Sequence, residues 1–270
     1  MSTIDGVSRA KPGFARALAL GLVGGYDLKG PRIRLGLLWF VVLLGAVALG
    51  PVAVALLMAL VCGAAASQTA AAWRRAGRRP NQIAAGIAGL AMPLAAAIGT
   101  GALGALCVVL ALAAVAAAAS DQRRRFPVLS EAGLTLRCGY LVGLAGASLV
   151  VIDRLEVWAA VSLVLLVCAY DVGDFIVGTE STNLIEGPIA GIAAVIVMTF
   201  AVAVFAFPPF EMTSAWVFGL LAAALCPLGQ ALSTAVLPDP DSRAPSLRRI
   251  DSLVVVGPLW VCALWMYLTS

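Results

Sequence analysis

Histidine is absent from the 270 residues, and charge is sparse: 18 basic and 14 acidic side chains make up 12% of the chain. Without histidine there is no His-based catalytic triad, no His-ligated haem or zinc, and no His proton relay. Soluble domains carry roughly 25% charged residues, so this fraction is too small to wet the surface of a soluble globule of this length. Cysteine is also uninformative. Cys62, Cys107, Cys138, Cys168, Cys226 and Cys262 each lie in or beside an apolar run, and no two form a C-x-x-C pair. They read as small core or lipid-facing residues and give no sign of redox compartment. What is abundant is apolar surface, with 62% hydrophobic residues and a mean hydropathy of +1.01. A membrane-spanning helix needs about 20 mostly apolar residues, so nine would use about 180, close to what this composition supplies. Barrel strands alternate apolar and polar residues, whereas here the apolar runs are unbroken. The class predicted is an all-α, polytopic integral membrane protein.

Nine apolar runs can be read, at approximately 33–49, 51–70, 83–99, 101–119, 136–152, 157–177, 188–207, 214–236 and 252–268. A shorter Gly-rich stretch, 14–25, is too short to span and reads as interfacial or re-entrant. The polar first dozen residues show no signal-peptide cleavage site. The chain divides into a cytoplasmic or interfacial segment (1–32), an N-terminal transmembrane part (33–130) and a C-terminal transmembrane part (131–270). Basic residues cluster in alternate connections. Arg9, Lys11, Arg16, Lys29, Arg32 and Arg34 precede the first run, Arg74, Arg75, Arg78 and Arg79 follow the second, and Arg123, Arg124, Arg125 and Arg137 follow the fourth. Arg243, Arg248 and Arg249 precede the last run, whereas the connections at 50–51 and 99–101 carry no charge. The sixth connection holds Asp153, Arg154 and Glu156. By the positive-inside rule the N-terminus is expected in the cytoplasm and the C-terminus outside. The net charge of +4 sits in these loops, as expected for contact with anionic lipid and not for a nucleic-acid face. Two G-x-x-x-G pairs, Gly139/Gly143 and Gly187/Gly191, permit close helix approach, within the chain or in a homodimer.

Ionisable groups inside an apolar run are costly and point to function. Asp171 and Asp174, three residues apart near the end of the sixth run, share a helix face, suited to a cation or to pairing with arginine. A second polar concentration holds Asp239, Asp241, Ser242 and Arg243, then Arg248, Arg249, Asp251 and Ser252. It also fits an ordinary loop with Asp251 as an N-cap. A third, 179–188, includes Asn183, Glu186 and Gly187 and suits either a nucleotide or a solvated loop.

Taken together and in order, these pieces resemble the phosphatidate cytidylyltransferases (CDP-diacylglycerol synthases). The D-T-G-A-Y-F-x-G segment of that family is similar to Asp171-Val172-Gly173-Asp174-Phe175-Ile176-Val177-Gly178. The end of its S-P-K-K-T-W-E-G segment is matched by Glu186-Gly187, and the start of L-G-D-x-x-E-S by Leu228-Gly229-Gln230. Its closing D-R-x-D-S-L resembles Arg248-Arg249-Ile250-Asp251-Ser252-Leu253. The likeness covers roughly 130–268. Where the family has paired lysines this chain has Thr182 and Asn183, and three family acids are replaced by Gln230, Ser233 and Arg248. The resemblance implies a polytopic cytoplasmic-facing site that joins CTP to phosphatidic acid, releasing pyrophosphate and CDP-diacylglycerol in bacterial-style phospholipid synthesis. It further implies Asp251, Arg249 and Asp171 as catalytic groups. Arg248, Asn183, Glu186, Asp241 and Ser242 would bind substrate, and Asp171 with Asp251 would hold Mg²⁺. The partners implied are CTP and membrane lipid, with no nucleic acid. Two rivals stay open: a non-catalytic scaffold or regulator of the same type, and a cation-coupled small-solute transporter.

Overall fold

The computed structural model describes residues 32–122, 126–179, 183, 185–205 and 207–270, with side chains from residue 36 onward. The interfacial expectation for 14–25, the bases Arg9, Lys11, Arg16 and Lys29, and Arg123, Arg124, Arg125, Glu180, Ser181 and Thr182 lie outside the described residues. Among those described, all regular structure is helical. The α-helices are α1 (Arg32–Leu49), α2 (Pro51–Arg75), α3 (Gln82–Ile98), α4 (Thr100–Ser120), α5 (Val128–Leu155), α6 (Val157–Gly178), α7 (Glu186–Val204), α8 (Met212–Val236) and α9 (Leu253–Thr269), with a 3-10 turn at Leu247–Arg249. Six of them, α2 and α4 to α8, are long and apolar enough to cross a membrane. The described part of α1 (Gly36–Leu49), α3 and α9 are apolar but shorter.

Apolar runs located the helices, and polar partners moved their ends. The expected start of α5 at 136 is corrected to Val128, so Arg137, assigned above to a loop, lies inside the helix. Tertiary contact makes those polar turns tolerable. Buried Glu131 accepts from Arg78 Nε at 2.9 Å and from the Arg79 amide at 3.0 Å, and Thr135 Oγ1 accepts from the Asn81 amide at 2.9 Å. At its other end α5 continues through Asp153 and Arg154, also read as loop, and Arg154 donates to the Ala96 carbonyl at 2.7 Å. Helix α2 likewise continues past residue 70 to Arg74 and Arg75, whose cations suit the negative end of a helix. Gly77, at φ +86, then lets the chain reverse, with the Arg78 amide bonded back to the Trp73 carbonyl at 3.1 Å. Asn81 opens α3, its side chain accepting from the Ala84 amide at 3.0 Å. Helix α7 ends at Val204, short of the expected 207.

Polar contacts tie several helix termini together at one end of the bundle. Trp73 Nε1 donates to the Val236 carbonyl at 2.7 Å, and Gln68 exchanges hydrogen bonds with the amide and hydroxyl of Ser246 at 3.0 Å each. The end of α2, the start of α5, the end of α8 and the entry to α9 therefore meet there. Small residues set the spacing in the interior. A Cβ on Gly139 would lie 2.7 Å from Ala88 Cβ, and one on Gly143 2.6 Å from Met92 Sδ, so this G-x-x-x-G pair packs α5 on α3. Gly187 and Gly191 pack α7 on α6, against Asp174 and Tyr170. Both pairs are buried inside one chain and present no dimer surface. Helix α4 lies at the periphery and buries only Leu110, Ala114 and Ala118.

Candidate functional site

Helix α6 runs to Gly178, which places Asp171 about 10 Å from its end at 1.5 Å rise per residue. The chain enters α9 through a tight turn, and that turn meets α6 there. The Ser252 hydroxyl donates to Asp171 Oδ1, while the Ser252 amide donates to Asp251 Oδ1 at 2.9 Å. One residue thus joins carboxylates that are far apart in sequence. Ser252 and Asp251 are buried, and Asp171 is half-buried. Asp251 caps no helix; its acceptor serves the next amide in the turn. The approach depends on α8, because a Cβ on Gly229 would stand 2.5 Å from the Asp251 carbonyl oxygen and 2.7 Å from that of Ser252.

Both arginines flank this junction. Arg248 Nη1 donates to Thr234 Oγ1 at 2.7 Å, and its Nη2 donates to the Pro240 carbonyl at 3.3 Å. The same Nη1 stands 3.7 Å from Asp251 Oδ2. The guanidinium is held in place yet 40% exposed, so its fork remains open to an incoming anion. Arg249 lies within electrostatic reach of Asp171 and beside Gly36 of α1. Burial pushes the Asp251 carboxyl up to about 6, against the opposing pull of Arg248.

A second chain of polar contacts links Tyr170 and Asp174 of α6 through Gln230 of α8. The Tyr170 hydroxyl donates to Gln230 Oε1 at 3.1 Å, and Gln230 Nε2 donates to Asp174 Oδ2 at 3.2 Å. Asp174 is buried, so Gln230 supplies the donor that a buried carboxylate requires. A carboxylate at position 230 would instead face Asp174 with like charge.

The remaining candidates lie elsewhere in the fold. Asn183 Nδ2 donates to Glu186 Oε1 at 2.8 Å, and both are exposed at the entry to α7. Asp241 is exposed in the loop after α8, where its amide and that of Ser242 bond back to Asp239 at 3.0 Å each. Among the described residues no hydrogen bond or ion pair joins Asp241, Ser242, Asn183 or Glu186 to Asp171 or Asp251. Sequence reasoning assigned no role to Tyr170, Thr234 or Ser252. Only Ser252 carried a signal, as the residue after Asp251 in the Arg-x-Asp-Ser-Leu stretch.

The junction offers no dedicated cage for a resident Mg²⁺, only two carboxylates that an ion would have to supplement with waters and substrate phosphate. Such an ion wants near-octahedral oxygen coordination with carboxylate charge. Here one oxygen of each carboxylate already accepts from Ser252, and Arg248 faces the other Asp251 oxygen. Among the described residues no group of three or more histidine, cysteine, aspartate or glutamate side chains could hold a metal ion. The arrangement is better suited to a phosphate, gripped by arginine forks beside carboxylates that restrain them. Comparison with known protein families, curated proteins and solved structures finds no match to this chain.

Proposed function

We propose that this chain is a divergent membrane protein of the phosphatidate cytidylyltransferase type, whose Arg248 and Arg249 bind the phosphate of phosphatidic acid or CTP without a resident metal. One observation carries the reading. Asp171, the neighbourhood of Gly229 and Gln230, and the stretch 248–252 resemble separate segments of that family, and they meet at Ser252. In the reaction of that family the lipid phosphate attacks the α-phosphorus of CTP and pyrophosphate leaves. Such chemistry rests on positioning and on neutralising phosphate charge. Arg248 and Arg249 could supply part of that charge. The donor set around Asp251 favours the second reading, a homologue that keeps the ligand and has lost the transfer. On either reading the protein is integral to the cell membrane, with α1 to α9 as nine spans, the N-terminus cytoplasmic and the C-terminus outside. The alternation of basic connections supports this orientation. A topology reporter fused after Ser270 is expected to read non-cytoplasmic, and one inserted at Asp121 cytoplasmic. Finding both on one side removes the nine-span reading.

The test of function is heat stability in detergent. Phosphatidic acid or CTP is expected to raise the unfolding temperature equally with and without Mg²⁺, and Arg248→Ala to abolish the rise. The pair Gln230→Asp with Arg248→Asp should make any remaining effect depend on metal. Robust Mg²⁺-dependent release of pyrophosphate from CTP and phosphatidic acid by the unaltered protein would overturn the metal-independent reading. No stabilisation by either ligand would overturn the phosphate site altogether.

A further inference from the structure

A separate cavity of about 460 Å³ opens where the α2–α3 turn, the end of α4 and the start of α5 come together. Its volume lies within the roughly 300–1,000 Å³ typical of small-ligand sites. No residue of the Asp171–Ser252–Asp251 junction lines it.

Its wall carries two arginines. Arg74, from the last turn of α2, and Arg79, from the turn after Gly77, both line the cavity, both are exposed, and among the described residues neither is ion-paired. Two acids also contribute to the wall. Glu131 is occupied by Arg78 and by the Arg79 amide, and Asp121 is engaged by a contact of its own. Gln82 and Ile83 line the cavity too. They form the first turn of α3, where amides have no intrahelical acceptor and the helix dipole favours an anion.

The surroundings select the kind of anion. From the cavity an apolar stripe runs along α3: Ile83 is 75% exposed, Ile87 53% and Leu90 40%. Spacings of four and three residues put the three on one helix face. Helix α4 beside it exposes Leu112 and Val108. The cavity therefore sits at the head of a lipid-facing surface, at the end of the bundle that collects the basic residues. A soluble phosphate would use the two arginines alone, whereas a phospholipid would use the arginines and the stripe.

We propose that this cavity binds the phosphate headgroup of an anionic phospholipid, with Arg74, Arg79 and the first turn of α3 on the headgroup and the Ile83–Ile87–Leu90 stripe along an acyl chain.

The test is lipid binding to the full chain in detergent, read by native mass spectrometry during titration with phosphatidylglycerol or phosphatidylcholine. Arg74→Ala and Arg79→Ala should each weaken the first-bound phosphatidylglycerol about fivefold, and the double variant roughly 30-fold, from about one basic contact's worth of attraction per arginine. Arg75→Ala is the control, with the same charge loss at the adjacent position but outside the cavity wall, and it should weaken that affinity clearly less than Arg74→Ala does. Phosphatidylcholine binding should respond to none of these changes. All three side chains removed here are exposed, and unfolding temperatures measured alongside should not move. Equal weakening by Arg75→Ala and Arg74→Ala would show a diffuse charge effect and overturn the site. Displacement of phosphatidylglycerol by millimolar inorganic phosphate would make this a soluble-phosphate site and overturn the lipid assignment.

Discussion

Arg78→Met is expected to cost about 3 kcal/mol of stability, because it strands the Glu131 carboxylate in a buried position. Glu131 is 2% exposed, and the Arg78 Nε–Oε1 distance is 2.9 Å. Removing one partner of a buried pair leaves a charge that has lost both water and its counter-charge. The Arg79 amide still donates to Oε2 at 3.0 Å, which keeps the loss short of the upper end for such pairs. Glu131→Gln alone should cost less, since an amide is cheaper to bury than a charge. The double variant Arg78→Met with Glu131→Gln should recover much of the loss. Thermal unfolding of the four proteins in one detergent forms a double-mutant cycle. Additive losses with no recovery in the double variant would mean that the pair does not hold the α2–α3 turn to α5. Arg78 also stacks over Phe126, 4.3 Å from the ring centroid, and donates to Ser130 Oγ at 2.8 Å. Part of its cost therefore remains in the double variant.

The second large effect is expected at Gly229. An added methyl would lie 2.5 Å from one backbone oxygen and 2.7 Å from another. Backbone cannot swing aside as a flexible side chain does, so α8 or the 251–252 turn must shift. Overpacking of this kind costs about 1–3 kcal/mol. Gly229→Ala should therefore lower the unfolding temperature and also erase the rise caused by phosphatidic acid or CTP, because the turn it displaces carries Asp251 and Ser252. Gly101→Ala is the contrast: nothing lies within 4 Å of a Cβ there, and alanine in a helix is expected to be neutral or mildly stabilising. A Gly229→Ala protein that unfolds at the parent temperature and still responds to ligand would remove α8 from the account of the site.

The helical positions were readable because each helix is paired with an unbroken apolar run, and burying a polar backbone in lipid leaves helix as the local solution. The ends were less readable. The start of α5 carries Ser130, Glu131, Thr135 and Arg137, residues that look like loop by hydropathy, and they are helical because Arg78, Asn81 and Trp73 meet them from outside the helix. No local pattern encodes such a partner 50 residues away. Both G-x-x-x-G pairs were visible as close-packing signals, but whether they faced another chain or their own could not be read from spacing.

By itself the sequence determined what depends on composition and short-range order: a chain rich in apolar and poor in charged residues, helices at the apolar runs, most bases clustered around alternate connections, and acids such as Asp171 and Asp251 in or beside apolar runs. Only the tertiary structure decided which of those polar groups meet. Asp171 and Asp251 are joined through Ser252 because Gly229 has no side chain to hold the turn away. Asp174 finds its donor in Gln230 on another helix, and Asp241 and Asn183 stay in their own loops. The physical reason is range. Hydropathy and helix propensity act over a few residues, whereas the pairing of a buried carboxylate is settled by whichever donor the packing of distant helices brings within about 3 Å.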